Sequence, residues 1–242
     1  MPRSEFYSGE GLKLIDQQNY PAEISAFLGH EENIAKRLIT ENKYEFMVEI
    51  GAMDRGFLLQ AAVEENASYI GLDLVGGLIS KLDEKIDGIL SAARQHAGGR
   101  IEAHVGDVFE LPAVVEKLRI PKRATLAAFP FNSFGNMPDP ETVVSKVAEA
   151  GLDIAIFTYK TDYTSNSIRA DYYSRCNYKD LTMRETADGV LFSSTDGLWS
   201  YAYEKKFMEG VFARNGFELL EVPFGEIGVA YVGKLRKRAE GG

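Results

Sequence analysis

The sequence predicts an α/β fold, in which a mostly parallel sheet carries helices on both faces. Short apolar runs alternate with amphipathic stretches between residues 46 and 159, and this alternation is typical of parallel sheets with helical crossovers. The last two apolar runs have no helix between them, so one of these strands should run antiparallel. The chain has 242 residues, of which 45% are hydrophobic, enough for a packed core in one or two domains.

The strands are predicted from short apolar runs that end at turn-forming residues. The first run, 46–50, ends at Gly51, and the fourth, 124–129, ends at Pro130. The predicted strands in chain order are 46–50, 69–74, 100–105, 124–129, 152–159, 217–222 and 229–233.

The helices are predicted from apolar residues at helical spacing and from capping residues at their ends. Asp139-Pro140-Glu141 is a typical helix start, with an N-cap, a proline in the first turn and an acid beside the positive helix end. Glycines close several helices, because the left-handed conformation after a helix favours glycine. The predicted helices are 20–40, 57–65, a helix that carries Leu78 to Ala93 and ends at Gly98-Gly99, one from 139 to Gly151, and 203–215 closed by Gly216.

The alternation breaks between Lys160 and Ala202, where no long helical period is visible. A hairpin is predicted there, pairing 190–192 with 198–201 around a turn at Asp196-Gly197. We expect a single domain over residues 1–242, with an N-terminal helical segment, 1–43, and an insertion, 160–202, that covers one end of the sheet.

Composition excludes several classes of protein. No apolar run is long enough to cross a membrane, and the N-terminus lacks the apolar core of a signal peptide. The net charge of −9 disfavours nucleic acid, and Cys176 is the only cysteine. The histidines His30, His96 and His104 lack metal-ligand spacing. We therefore predict a cytoplasmic protein without metal, a monomer or homodimer, whose partner is a small molecule and neither a membrane nor nucleic acid.

Three acidic residues lie at or near the ends of the first three strands: Glu49, Asp73 and Asp107. Ligands of open α/β sheets bind beyond these strand ends, and a carboxylate at the second strand accepts hydrogen bonds from a ribose diol. The turn after the first strand carries Met53 and Asp54, where a dinucleotide pyrophosphate needs a glycine and no negative charge. The pattern favours a cationic nucleoside without phosphate, such as S-adenosylmethionine (SAM).

The chain resembles the class I SAM-dependent methyltransferases over about residues 40 to 235. The motifs that carry this resemblance are Val48-Glu49-Ile50-Gly51-Ala52-Met53-Asp54-Arg55-Gly56, Gly71-Leu72-Asp73, Gly106-Asp107-Val108 and Phe129-Pro130-Phe131-Asn132. The first motif departs from the usual pattern, because Met53 and Arg55 stand where the family carries glycines. The resemblance implies a doubly wound, seven-stranded sheet of order 3-2-1-4-5-7-6 with strand 7 antiparallel.

The resemblance also implies which residues bind SAM. Glu49 and Gly51 would lie under its methionine part. Asp73 would bind the ribose, Asp107 and Val108 the adenine, and Phe129 would lie at the methyl-transfer edge. Ala52, Met53 and Leu74 are the other predicted cofactor-binding residues.

Methyl transfer from a sulfonium requires positioning and exclusion of water more than acid–base catalysis. Asn132 and Tyr159 are the candidate catalytic residues, although Asn132 is also a typical turn residue. The aromatic insertion predicts a substrate pocket, with simple packing as the alternative. Arg169 and Arg175 would bind a substrate carboxylate, with a solvated side chain or an ion pair to an acid such as Asp171 as the alternative. The candidate substrate-binding residues are Phe131, Asn132, Tyr172, Arg175, Trp199 and Tyr201.

The sequence thus predicts a biosynthetic SAM-dependent methyltransferase that acts on a nitrogen or oxygen of a small metabolite and releases S-adenosylhomocysteine (SAH). One alternative is an enzyme that transfers or cyclises the aminocarboxypropyl arm of SAM. Another is a scaffold subunit with the same fold, an interpretation that Met53 and Arg55 motivate.

Overall fold

The computed structural model describes residues 3–92 and 99–236, in which ten strands form two sheets. The strands are β1 (Phe46–Ile50), β2 (Ser68–Asp73), β3 (Ile101–Val105), β4 (Thr125–Phe129), β5 (Asp153–Tyr159), β6 (Thr182–Thr186), β7 (Gly189–Ser193), β8 (Trp199–Tyr203), β9 (Phe217–Phe224) and β10 (Gly228–Leu235). The α-helices are α1 (Arg3–Tyr7), α2 (Ala22–Asn42), α3 (Leu59–Glu64), α4 (Gly76–Ala92), α5 (Leu111–Lys117), α6 (Pro140–Ala150), α7 (Tyr163–Arg175) and α8 (Lys205–Arg214).

The large sheet has the order β3-β2-β1-β4-β5-β10-β9, which confirms the predicted order, since β9 and β10 are its sixth and seventh strands. Strands β1 to β5 are parallel, whereas β10 is antiparallel to both β5 and β9. Strands β2 and β3 are added on one side of β1, whereas β4 and β5 are added on its other side, and ligand sites of open sheets lie at such a switch point between β1 and β4.

Side chains of the central strands are buried on both faces of the sheet. Successive side chains of a strand point to opposite faces, so neighbouring residues pack into different cores. In β1, Met47 packs into one core with Phe27 of α2, and Val48 packs into a second core with Val147 of α6. Glu49 is buried in the same strand. A carboxylate in this position needs hydrogen-bond donors around it, which the turn after β1 supplies.

The insertion differs from the prediction in two respects. The predicted hairpin is confirmed as β7 and β8, but β6 extends it to a three-stranded sheet, and a helix, α7, precedes it. The sequence of α7 is largely polar, and its buried side chains include Ser165, Asn166 and Arg169, so it shows little apolar periodicity. The helix begins at Asp162, whose side chain accepts a hydrogen bond from the Ser165 amide.

The other element bounds agree with the prediction to within a few residues, but α5, between β3 and β4, was not predicted. Gly151 ends α6 in the left-handed conformation that was expected of it. The expected end of α4 at Gly98, and His96 with it, lie outside the described residues. No described helix combines the length and apolar character that a membrane crossing requires.

Candidate functional site

The turn after β1 is tight and is fixed to the end of β2. Gly51 and Met53 both have positive φ, 80° and 53°, and the Met53 amide donates to Asp73 Oδ2 at 3.0 Å. A Cβ on Gly51 would lie 2.9 Å from the Cβ of Ser133, in the loop after β4. Gly51 therefore meets a conformational and a steric requirement for glycine, and Ala52 beside it is fully buried.

Glu49 lies beneath this turn, and its carboxylate accepts hydrogen bonds from three donors of the protein. Oε1 accepts from the Phe57 amide at 2.8 Å, and Oε2 accepts from the Leu58 amide and the Tyr69 hydroxyl at 2.9 Å each. Burial raises the pKa of Glu49 to about 7. The carboxylate thus holds the far end of the turn, just before α3 begins, and its contact with a methionine part stays a prediction.

Two acidic residues, Asp73 and Asp107, end or follow the neighbouring strands β2 and β3. Asp73 Oδ1 accepts from the Val75 amide and Asp107 Oδ1 from the Phe109 amide, both at 2.9 Å. The Gly106 amide donates to the Asp73 carbonyl, which joins the two strand ends. Burial raises the pKa of Asp73 from its ordinary value. Each carboxylate retains lone pairs for further hydrogen bonds, as ribose hydroxyls or an adenine amino group require.

Apolar side chains are exposed at the same strand ends. Leu74 is 48% exposed and Val105 is 62% exposed, although both follow or end buried strands. Val108, which was predicted to contact adenine, is buried in the core, so its contact would be made through the backbone. Exposed aliphatic surface beside paired carboxylates suits a flat base linked to a sugar.

The loop after β4 faces this site with two strained residues. Phe131 and Asn132 have φ of 45° and 58°, and the Phe131 amide donates to Glu31 Oε2 at 2.8 Å. Burial raises the pKa of Glu31 well above its ordinary value. Phe129, by contrast, is fully buried against Phe134 in the core, and its side chain does not line the pocket described below.

The Asn132 side chain is held by two elements that are distant in sequence. Its Nδ2 donates to Ser200 Oγ of β8 at 2.9 Å, and its Oδ1 accepts from Thr158 Oγ1 of β5 at 2.5 Å. The Tyr173 hydroxyl of α7 lies 2.6 Å from the same Ser200 Oγ. This network fixes the orientation of the Asn132 amide, as a positioning role requires.

A small tyrosine-rich pocket lies between these loops, with a cavity volume of about 40 Å³. Four tyrosines line it: Tyr7, Tyr159, Tyr172 and Tyr173. Burial raises the pKa of Tyr159 and of Tyr172 well above the ordinary value, so both hydroxyls keep their protons. Among the described residues, the lining contains no charged side chain. The other lining residues are Leu14, Ile15, Gly51, Met53, Phe57, Pro130, Phe131, Asn132, Ser133, Asn136 and Ser200.

Three residues predicted to bind substrate lie away from this lining. Arg175 forms a surface ion pair with Asp171 at 2.8 Å, the alternative that the sequence left open. Trp199 is 41% exposed, and Tyr201 stacks on Tyr203 at a centroid distance of 4.5 Å. The strand alternation explains this, because Ser200 faces the pocket and its two neighbours face away.

Sequence reasoning missed Arg169 as a buried cation. It is fully buried, its Nη2 donates to the Ser200 carbonyl at 3.0 Å, and its Nε has no hydrogen-bond partner within the described chain. The guanidinium lies over the rings of Phe192 (4.6 Å) and Tyr159 (5.2 Å). Sequence reasoning also missed Tyr7, Leu14 and Ile15, because no local pattern connects the N-terminal residues with this pocket.

Comparison with known proteins gives matches in structure alone. No protein-family model matches the chain, and no curated protein matches it in sequence. It is similar to magnesium protoporphyrin IX methyltransferase (ChlM) from Synechocystis PCC 6803 with bound SAH, at a TM-score of 0.65 and 9% identity over 97% of this chain and 98% of that one.

Two other solved structures are similar over most of their length. The glycopeptide N-methyltransferase MtfA complexed with SAH has a TM-score of 0.56 and 12% identity, with 86% of this chain and 88% of that chain covered. Streptomyces venezuelae DesVI has a TM-score of 0.55 and 11% identity, with coverages of 98% and 99%. The matches and the strand order together show that this chain has the Rossmann-like fold of the class I SAM-dependent methyltransferases.

Proposed function

We propose that the protein is a SAM-dependent methyltransferase that acts on a nitrogen or oxygen of a small molecule. One observation carries this proposal. Asp73 and Asp107 lie at the ends of neighbouring strands together with exposed Leu74 and Val105, and Met53, whose amide bonds Asp73, lines the tyrosine-rich pocket. The fold supports it, and both ChlM and MtfA were crystallised with SAH.

The strand ends would hold SAM through its sugar, base and positive charge. Asp73 would accept hydrogen bonds from the ribose, Asp107 would bind the adenine amino group, and Leu74 would pack on the base. Gly51 and Met53 would lie along the methionine part. Acidic side chains near this turn, Asp54 included, favour a ligand that carries a sulfonium and an ammonium.

When bound, SAM supplies a methyl group that needs no further activation. The protein then has to align the acceptor atom and exclude water from it. Asn132, fixed by Thr158 and Ser200, is placed to orient the acceptor, and the rings of Tyr159 and Tyr172 exclude water. These roles extend the prediction made from sequence.

The chemistry of the lining favours an acceptor that enters with a free lone pair. The described lining has no carboxylate or imidazole, and burial keeps the hydroxyls of Tyr159 and Tyr172 protonated. A neutral amine meets this requirement, because it needs no general base before it attacks. A hydroxyl would need a base that the described lining does not supply.

Calorimetry and a variant pair test the cofactor site. We expect SAM and SAH to bind the wild-type protein. Asp73→Asn should weaken SAM binding by about 1–3 kcal/mol, or 5- to 150-fold, because the ribose loses a charged acceptor. Asp139→Asn is the matched control, since it removes a surface acid that caps α6, remote in sequence from the turn. Equal loss in both variants, or no binding by the wild type, would contradict the proposal.

Product analysis tests the reaction. We expect SAH to form from SAM with members of a panel of primary amines, secondary amines and phenols, and mass spectrometry should show a methyl group on the acceptor. Formation of methylthioadenosine in place of SAH would instead indicate chemistry on the aminocarboxypropyl arm.

A further inference from the structure

The N-terminal strap, which we define as residues 5–20, forms one wall of the tyrosine-rich pocket. Tyr7, Leu14 and Ile15 of the strap line the pocket together with Gly51 and Met53 of the turn after β1. The strap contains only short helical turns between α1 and α2. A ligand that enters the pocket past this wall must displace the strap or bind while it is open.

Side chains of the protein body hold the strap by its backbone carbonyls. Tyr172 donates to the Leu14 carbonyl, and Tyr178 donates to the Glu10 carbonyl at 3.2 Å. Phe6 and Leu14 are the buried apolar anchors of the strap, and Tyr7 and Tyr20 pack against the same core while partly exposed. Most other residues of the strap are partly or fully exposed, and segments with few buried apolar contacts open at low free-energy cost.

Arg55 joins this strap to the predicted cofactor turn. Its Nη1 donates to the Ile15 carbonyl at 3.0 Å and to the Tyr20 hydroxyl at 3.3 Å. The Tyr20 hydroxyl in turn donates to the Leu14 carbonyl at 3.2 Å. The backbone of Arg55 is also held, because Lys85 Nζ donates to its carbonyl.

No acidic side chain of the described residues competes with the strap for the guanidinium of Arg55. Its guanidinium lies 5.6 Å from the centroid of the Phe57 ring, and it forms no ion pair with any residue of 3–92 or 99–236. The resemblance to methyltransferases leads us to expect glycine at this position. A glycine would have no side chain to reach the strap.

We propose that Arg55 is a positioning residue that couples occupancy of the cofactor turn to closure of the N-terminal strap over the acceptor pocket. The inference rests on the proposed function, since it takes SAM or SAH as the ligand of the turn. A ligand that contacts Met53 immobilises the turn, and Arg55, two residues further on, then holds Ile15 in place. By thermodynamic linkage, a closed strap also favours ligand binding at the turn.

Hydrogen exchange of the strap measures this coupling without a known acceptor. We expect saturating SAH to slow backbone exchange in residues 5–20 of the wild-type protein by about fivefold or more. In Arg55→Gln, SAH should still bind but should slow exchange in the strap much less. Tyr20→Phe tests the same contact from the strap side, because it removes the hydroxyl and keeps the ring that packs on Phe131 and Tyr172.

Arg37→Gln is the matched control. Arg37 is an exposed arginine of α2 that pairs with Glu41, so its loss removes the same charge without touching the turn. This variant should retain the full effect of SAH on the strap.

Calorimetry on each variant separates the possible failures. If SAH binds the wild type but leaves exchange in the strap unchanged, the coupling is refuted and the proposed function stands. If SAH slows exchange equally in wild type, Arg55→Gln and Tyr20→Phe, the strap responds without Arg55 and the inference is also refuted. Absence of SAH binding to the wild type would refute the proposed function and the coupling together.

Discussion

The strand ends that would hold SAM and the tyrosine-rich pocket beside them are built in different ways. The first site comes from one stretch of chain, residues 49–108, and its polar groups are carboxylates and backbone amides at successive strand ends. The second site comes from four separate stretches: the strap, the turn after β1, the loop after β4 and the residues from Tyr159 to Ser200.

The two sites also differ in charge. Asp73 and Asp107 make the strand ends acidic, whereas the described lining of the pocket is uncharged. A buried cation, Arg169, lies against two of the lining tyrosines, Tyr159 and Tyr173. If the proposed function holds, the first site would select its ligand by charge and hydrogen bonds, and the second by shape and exclusion of water.

Gly51→Ala should have the largest effect, because it damages the boundary between the two sites. The positive φ of Gly51 costs an alanine about 1–2 kcal/mol, and the contact with Ser133 Cβ adds about 1–3 kcal/mol. We expect urea unfolding to show a loss of about 2–5 kcal/mol and SAM binding to fail. Gly216→Ala is the control, since its φ of 79° is similar but its Cβ would meet no atom within 4 Å. Equal losses would show that the contact with Ser133 costs nothing.

The buried acids under the strand ends should make stability depend on pH. Burial raises the pKa of Glu49 from 4.5 to about 7, so the folded protein holds this proton more tightly than the unfolded chain. The stabilisation is complete below about pH 4.5 and is lost as pH rises to about 7, a change of about 3 kcal/mol. Urea unfolding at pH 5 and pH 8 should show a smaller difference in Glu49→Gln than in wild type. Glu31 contributes in the same direction and remains in both proteins. An unaltered difference in the variant would contradict the raised pKa of Glu49.

Ser200→Ala tests whether the pocket depends on its cross-linking network. The change leaves the Asn132 amide and the Tyr173 hydroxyl without their shared partner, so we expect a loss of about 1–3 kcal/mol in unfolding free energy. SAM affinity should change less than acceptor turnover. The control is Ser145→Ala, at a surface serine that bonds Glu149 of the same helix. A loss of SAM affinity as large as the loss of turnover would show that the two sites are not separable in this way.

Arg175→Gln should have the smallest effect. The ion pair with Asp171 is solvent-exposed, and such pairs contribute about 0.2–1 kcal/mol. Steady-state kinetics with the acceptor found by the product assay should show an unchanged KM. A raised KM at unchanged stability would restore Arg175 as a substrate-binding residue, as the sequence alone predicted.

Most of the fold was predictable because its signals are local. Apolar runs such as 46–50, the capping group Asp139-Pro140 and the closing Gly151 are set by neighbours in the chain. Helix α7 was not predictable by the same means, since Tyr172, Tyr173 and Arg169 are buried where an apolar stripe would be expected. Its burial depends on partners in β8 and in the strap.

The site was predictable only in part. The acids at the strand ends lie where the alternation of elements puts them, so Asp73 and Asp107 were identified before the structure. The roles of Trp199 and Tyr201 were inferred from residue type, and the structure turns both away from the pocket lining while their neighbour Ser200 faces it. A strand's facing is fixed by its register in the sheet, which residue type does not specify.

The sequence by itself determined the strand–helix alternation and the row of acids at the strand ends, and it predicted a ligand without phosphate. Each depends on residues close together in the chain or on strict periodicity. Only the tertiary structure decided which partners the polar side chains have. Arg55 donates to the strap, Glu49 accepts from the Phe57 amide at the end of the turn, and Asn132 is held by Thr158 and Ser200. Those contacts join residues brought together by the packing of separate elements, and the pairing of their polar atoms depends on distances that exist only once the chain has folded.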